Sequence, residues 1–110
     1  MTFEDYQIEA LRTASFDSKY PLWLNGALGL CGESGEVADI VKKHLFQGHP
    51  LDIDHMAKEL GDISWYLAVT AYAIGYDLEQ VIHMNVDKLR KRYPNGFDPE
   101  RSLHRSPEDV

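Results

Sequence analysis

Apolar side chains recur along this chain at intervals of three and four, the period of a buried helix face, and no stretch alternates as a half-buried strand does. Phe3, Tyr6, Ala10 and Leu11 define a first helix over about residues 2–14, opened by Thr2 with Asp5 three places on, a capping box built with the shorter acid. Residues 15–21 lose the period. Pro21 suits an early helix position, where its missing donor has no partner in any case. A second, long helix follows over about 22–46 and is stopped by Gln47-Gly48-His49-Pro50, with Gly48 as the left-handed cap. Met56, Leu60, Ile63, Leu67, Ala71 and Ile74 mark a third helix over about 54–74, with Asp54 as its expected cap and Gly75 as its stop. A fourth opens at Asp77, with Gln80 at the capping-box position, and carries Leu78, Val81, Ile82, Val86 and Leu89 to about Tyr93. Pro94-Asn95-Gly96 closes it.

The pattern predicts an all-α, four-helix bundle-like domain over residues 1–97, centred on the two long helices. The last 17 residues hold three of the five prolines and few apolar side chains. Phe97 and Leu103 are expected to dock, and 98–110 reads as a flexible C-terminal tail.

Composition removes several classes of function. At 110 residues, with 44% hydrophobic and 26% charged side chains, the chain fits one ordinary globular domain. Eleven basic against 18 acidic residues give a formal charge of −7, which argues against holding a nucleic-acid polymer through its phosphates. A small anionic substrate stays open, provided that a bound divalent cation reverses the local field. The longest uncharged stretches, 13 residues from Tyr20 to Gly32 and 14 from Ile63 to Tyr76, fall short of the roughly 18–20 that a membrane span needs. Cys31 has no intrachain partner, and Met-Thr-Phe-Glu-Asp carries no basic leader followed by an apolar run. Together they set a reducing cytoplasm as the expected location.

Two features of the long helices require an explanation. Gly26, Gly29, Gly32 and Gly35 recur every three residues on the second helix, each costing about 1 kcal/mol relative to Ala in a helix interior. Such a stripe lets another helix or a ligand approach the backbone closely. Beside it lie Glu33-x-x-Glu36 and, on the third helix, Glu59-x-x-Asp62, each stacking two carboxylates on one face. A solvated acidic face is the commoner explanation for one such pair. Two pairs on consecutive helices, each among apolar residues, favour a shared site instead. Antiparallel pairing across the 47–53 loop can bring all four together, and four carboxylates without Cys or His in the motif select Mg²⁺ or Mn²⁺ over Zn²⁺.

The runs Gly29–Lys43, Lys58–Tyr66 and Asn85–Phe97, which contain the paired Glu-x-x-Glu and Glu-x-x-Asp motifs, resemble the MazG-like family of all-α nucleoside triphosphate pyrophosphohydrolases over about residues 3–97. The resemblance implies that Glu33, Glu36, Glu59 and Asp62 are Mg²⁺ ligands. It also implies attack of water on the α-phosphorus of a nucleoside or deoxynucleoside triphosphate, yielding monophosphate and pyrophosphate in a nucleotide-pool house-cleaning role. Glu33 and Glu36 are the candidates for the general base. Asn85, Lys88 and Arg92, at successive spacings of three and four on the fourth helix, supply phosphate contacts. Their alternative is a solvated basic strip. Lys42 and Lys43 are weaker candidates, since lysines at a helix end also complement its dipole. Tyr66, four residues after Asp62, is placed to flank a base or sugar, whereas Trp23 and Trp65 read as core.

A ferritin-like di-iron bundle would need Glu-x-x-His, which this sequence lacks. A non-catalytic nucleotide-binding or helical interaction module is the alternative from another class. The third helix is apolar over more than one face, through Trp65, Leu67, Val69, Ala71 and Ile74, and predicts a homodimer or homotetramer. The resemblance implies the same, with the first helix or the tail of one subunit completing a neighbour's pocket.

Overall fold

A computed structural model describes residues 1–110 as five helices without a strand: α1 (Phe3–Leu11), α2 (Leu22–Phe46), α3 (Ile53–Ala73), α4 (Leu78–Arg92) and α5 (Pro99–Leu103). The all-α expectation holds. Residues Met1–Leu78 and Glu79–Val110 form two compact units. No helix is long and apolar enough to cross a membrane.

In the first unit, local signals set the helix ends. The Thr2 hydroxyl accepts from the Asp5 amide, and the Asp5 carboxylate accepts from the Thr2 amide, both at 3.0 Å, which completes the capping box. The Thr2 amide, and after it the Thr2 hydroxyl, hold the Asp5 carboxyl below its ordinary pKa. Helix α2 spans the predicted residues despite its four glycines and ends where Gly48 turns to φ +72°, so that the His49 amide reaches back to the Lys43 carbonyl. Gly75, at φ +90°, ends α3 in the same way, with the Tyr76 amide donating to the Ala71 carbonyl at 2.9 Å.

The cap of α3 is a correction. Asp52, rather than Asp54, accepts from the His55 amide at 3.0 Å, and the helix starts at Ile53. Asp54 falls instead in the first turn, where a negative charge favours the helix dipole.

The tightest packing in this unit joins α2 to α3 and α1 to α3. A side chain at Gly26 would collide with Thr70 and one at Gly29 with the ring of Tyr66, so the two helices approach closely at just these positions. Rising positions on α2 meet falling positions on α3, which makes the pair antiparallel. The buried apolar residues are few: Ala10, Ala68, Val69, Ala71 and Leu78. Among them sits one polar side chain. Gln7 donates from Nε2 to the Ala68 and Tyr76 carbonyls, and its Oε1 accepts from the Leu78 amide, so a single buried amide ties α1 to α3 and to the start of α4. Trp23 and Trp65, expected in the core, are not buried. Trp23 is half exposed, and Trp65 spends its indole N–H on Thr13 Oγ1 at 2.8 Å.

The second unit has no fully buried residue. Phe97 and Leu103, expected to dock, stay exposed, although the Phe97 ring leans on Tyr93 at 5.3 Å. The pattern gives no element beyond 97, whereas the chain forms α5 there. Asp98 caps it by accepting from the Glu100 amide at 3.0 Å, and Pro99 stands in its first turn.

Candidate functional site

Antiparallel packing of α2 on α3 brings Glu33 from one helix against Glu59 and Asp62 from the other. One carboxylate oxygen from each lies within 4.8 Å of the others. Glu33 and Glu59 are half-buried and Asp62 is exposed. Glu36, the fourth expected ligand, lies outside this trio. Its charge still reaches Glu33 and, on the other side, Lys43.

The Glu33 carboxyl is held above its ordinary pKa, first by the close approach of the Glu59 side chain, then by desolvation and by the charges of Glu59, Asp62 and Glu36. That is the expected response of crowded carboxylates with no cation between them. Glu59 makes the same point geometrically. Its Oε1 accepts from His55 Nε2 at 3.0 Å, while Oε2 is buried with no donor. A buried carboxylate oxygen without a partner costs free energy on the order of 1–3 kcal/mol unless something satisfies it. All the donors are hard oxygens, and a divalent cation such as Mg²⁺ or Mn²⁺ fits both the charge and the orphaned atom.

An open cleft of about 320 Å³ lies at this cluster, lined by Glu33, Asp62, Trp65 and Tyr66. The Tyr66 ring rests on the bare backbone of Gly29 and meets Trp65 edge to face at 4.9 Å, which fixes an aromatic wall beside the carboxylates. Gly29 therefore clears space for the ring. Gly32 and Gly35 meet nothing, and the close-approach reading of the stripe holds only for its first half.

The remaining residues singled out in the sequence are not in the lining of this cleft. Lys42 and Lys43 pair with Asp39 on their own helix, at 3.4 and 2.8 Å, with both lysines exposed and Asp39 half-buried. The contact with Asp39 holds Lys43 above its ordinary pKa. In the second unit, Lys88 and Arg92 line one groove that does not include Asn85. Arg92 is bound bidentately to Asp109, Nε to Oδ2 at 2.8 Å and Nη2 to Oδ1 at 2.7 Å.

Two neighbours of the cluster escaped the sequence reading. His55 stands one helical turn before Glu59, a spacing that could have revealed it. Tyr6 of α1 feels the charge of Asp62, which adds to burial in raising its phenol pKa. Only the tertiary packing of α1 discloses this.

Residues 25–97 match the MazG nucleotide pyrophosphohydrolase domain. Over 73 residues the chain is 37% identical to the Gene 37 protein of Mycobacterium phage L5, an alignment covering 63% of this chain and 64% of that protein. The chain thus spans slightly less than two thirds of that relative's length. No solved structure matches.

Proposed function

The chain belongs to the MazG nucleotide pyrophosphohydrolase family, and from that premise we propose that it is a Mg²⁺-dependent enzyme cleaving nucleoside or deoxynucleoside triphosphates to monophosphate and pyrophosphate. The observation that carries this reading is the buried, partnerless Oε2 of Glu59 inside a three-carboxylate cluster. In this reading Glu33, Glu59 and Asp62 hold the cation, with Mn²⁺ as a substitute. When bound, it neutralises triphosphate charge and stabilises the charge that develops during displacement.

The chain's own residues supply the rest. His55, donating to Oε1 of Glu59, fixes that carboxylate and leaves Oε2 without a protein donor. Glu36 lies on the same helix outside the converging trio and keeps a free carboxylate. It can orient a water and accept its proton as attack on the α-phosphorus begins, with Glu33 as the other candidate base. The bond from the α-phosphorus to its bridging oxygen then breaks, and pyrophosphate leaves. Tyr66, pinned by Gly29 and Trp65, offers its ring face to a base or sugar. Lys88 and Arg92 are assigned to the phosphates, with Asn85, Lys42 and Lys43 as further contacts.

Such chemistry suits clearance of unwanted nucleotides from a cytoplasmic pool. We further propose a homodimer or homotetramer, supported by large apolar side chains left bare on both long helices, among them Leu28, Leu45, Ile53 and Leu60. The decisive experiment incubates the protein with a panel of NTPs and dNTPs plus Mg²⁺ and measures pyrophosphate against orthophosphate. Pyrophosphate in step with monophosphate is expected. Nucleotide binding without any hydrolysis would make the chain a non-catalytic binding module.

A further inference from the structure

The second unit encloses an open groove of about 660 Å³ between α4 and the segment after α5, and cationic side chains on its walls outnumber acidic ones five to three. Its best-held feature is the Arg92 fork. Two parallel charge-assisted bonds, 2.8 and 2.7 Å, run from the guanidinium to the two oxygens of Asp109, with only 11% and 21% of the two side chains exposed. Arg105 closes from the other side. Its Nη2 donates to the Asp109 carbonyl at 2.8 Å, and its Nε lies 3.8 Å from Oδ2. The charge of Lys88 also acts on the Asp109 carboxylate, which lies below its ordinary pKa chiefly because of Arg92.

A planar fork that grips two carboxylate oxygens grips two phosphate oxygens with the same geometry. Asp109 itself is lightly anchored. It lies outside any helix, and apart from the two arginines it is held by its amide, which donates to the Ser106 carbonyl at 3.0 Å, beside a 3.1 Å bond from the Val110 amide to the Glu108 carbonyl. Lifting it costs few contacts.

We propose that this groove is a polyphosphate-binding site in which the Asp109 carboxylate stands where a phosphate group binds, so that a polyphosphate ligand gains Arg92, with Arg105 and Lys88 beside it, by displacing the 106–110 segment. The inference rests on the phosphate role given to Arg92 above and adds Arg105 as a ligand and Asp109 as its internal competitor. Charge matching favours the exchange, because a polyphosphate brings several negative charges where Asp109 brings one.

The test uses inorganic tripolyphosphate without metal, so that hydrolysis is not read. By titration calorimetry, Asp109→Asn should bind it about fivefold tighter than the parent, the scale of losing one partly exposed charged competitor. Arg92→Lys in that background should abolish the gain, since a point charge does not replace the fork. In the unmodified protein, NMR should show the amides of Asp109 and Val110 moving toward random-coil shifts as tripolyphosphate is added. Unchanged or weaker binding by a folded Asp109→Asn protein, or resonances of 106–110 that stay fixed while tripolyphosphate binds, overturns the proposal. A protein that hydrolyses nucleotides while this segment stays silent keeps the hydrolase reading and loses this one. An inactive protein whose segment is displaced does the reverse.

Discussion

Glu59 has one oxygen held by His55 and the other held by nothing, so its side chain is the most informative in the molecule. Replacing it with Gln keeps the volume and removes the charge. Glu59→Gln should lower turnover by about a hundredfold or more, the scale of losing a principal electrostatic stabiliser, as measured by pyrophosphate release at saturating Mg²⁺. An unchanged rate sinks the assignment. Asp62→Asn should leave the metal-free protein as stable as the parent or more so, because it removes one of the charges that crowd Glu33. The pH dependence follows from the same crowding. The Glu33 pKa is raised in the folded state, so between its ordinary value and that raised value the native chain binds more protons than the unfolded one. Stability must therefore fall as pH rises through that window. Thermal melts in EDTA should show this loss, and saturating Mg²⁺ should suppress it. The carboxylate pairs were legible in the sequence because residue type and helical spacing suffice to place them. The exclusion of Glu36 from the trio was not, since that depends on how α2 is rotated against α3.

At the scale of the helix, the glycines of α2 divide into two kinds that sequence spacing could not separate. Gly26 and Gly29 lie under Thr70 and Tyr66, whereas Gly32 and Gly35 face open space. Gly29→Ala should force the Tyr66 ring off the helix and destabilise the protein by about 1–3 kcal/mol, as overpacking does. Gly35→Ala should instead stabilise it by up to about 1 kcal/mol through helix propensity alone. Denaturant melts of the two variants check both signs, and the same sign for both would refute the division. The ends of α2 and α3 were readable from Gly48, Pro50 and Gly75, since left-handed backbone is a local demand that glycine meets cheaply. The start of α3 was misjudged because Asp52 and Asp54 are equally good caps on paper, and only the position of the His55 amide chooses between them.

Over the whole molecule, the buried apolar side chains are mostly alanines, while Leu28 and Leu45 on α2 and Leu60 on α3 stay more than half exposed. The homo-oligomer proposed above would cover them. Light scattering at micromolar concentration should return at least twice the 12.6 kDa chain mass; a monomer with full activity would refute assembly as a requirement. The helical class was plain in the periodicity. The sparse core was not, because periodicity reports which face is apolar and says nothing of whether one chain has enough partners to cover it. Trp23 shows this: its spacing fits a core, and its surroundings leave it half bare. The Gln7 clamp carries a consequence for biosynthesis. Its three bonds reach carbonyls and an amide that lie 61, 69 and 71 residues further along the chain. At a synthesis rate of about 5–20 residues per second, the first helix must wait roughly 3–12 s on the ribosome before its buried amide has anything to bind. Through that interval it depends on its own capping box, and any holding chaperone would find its substrate there.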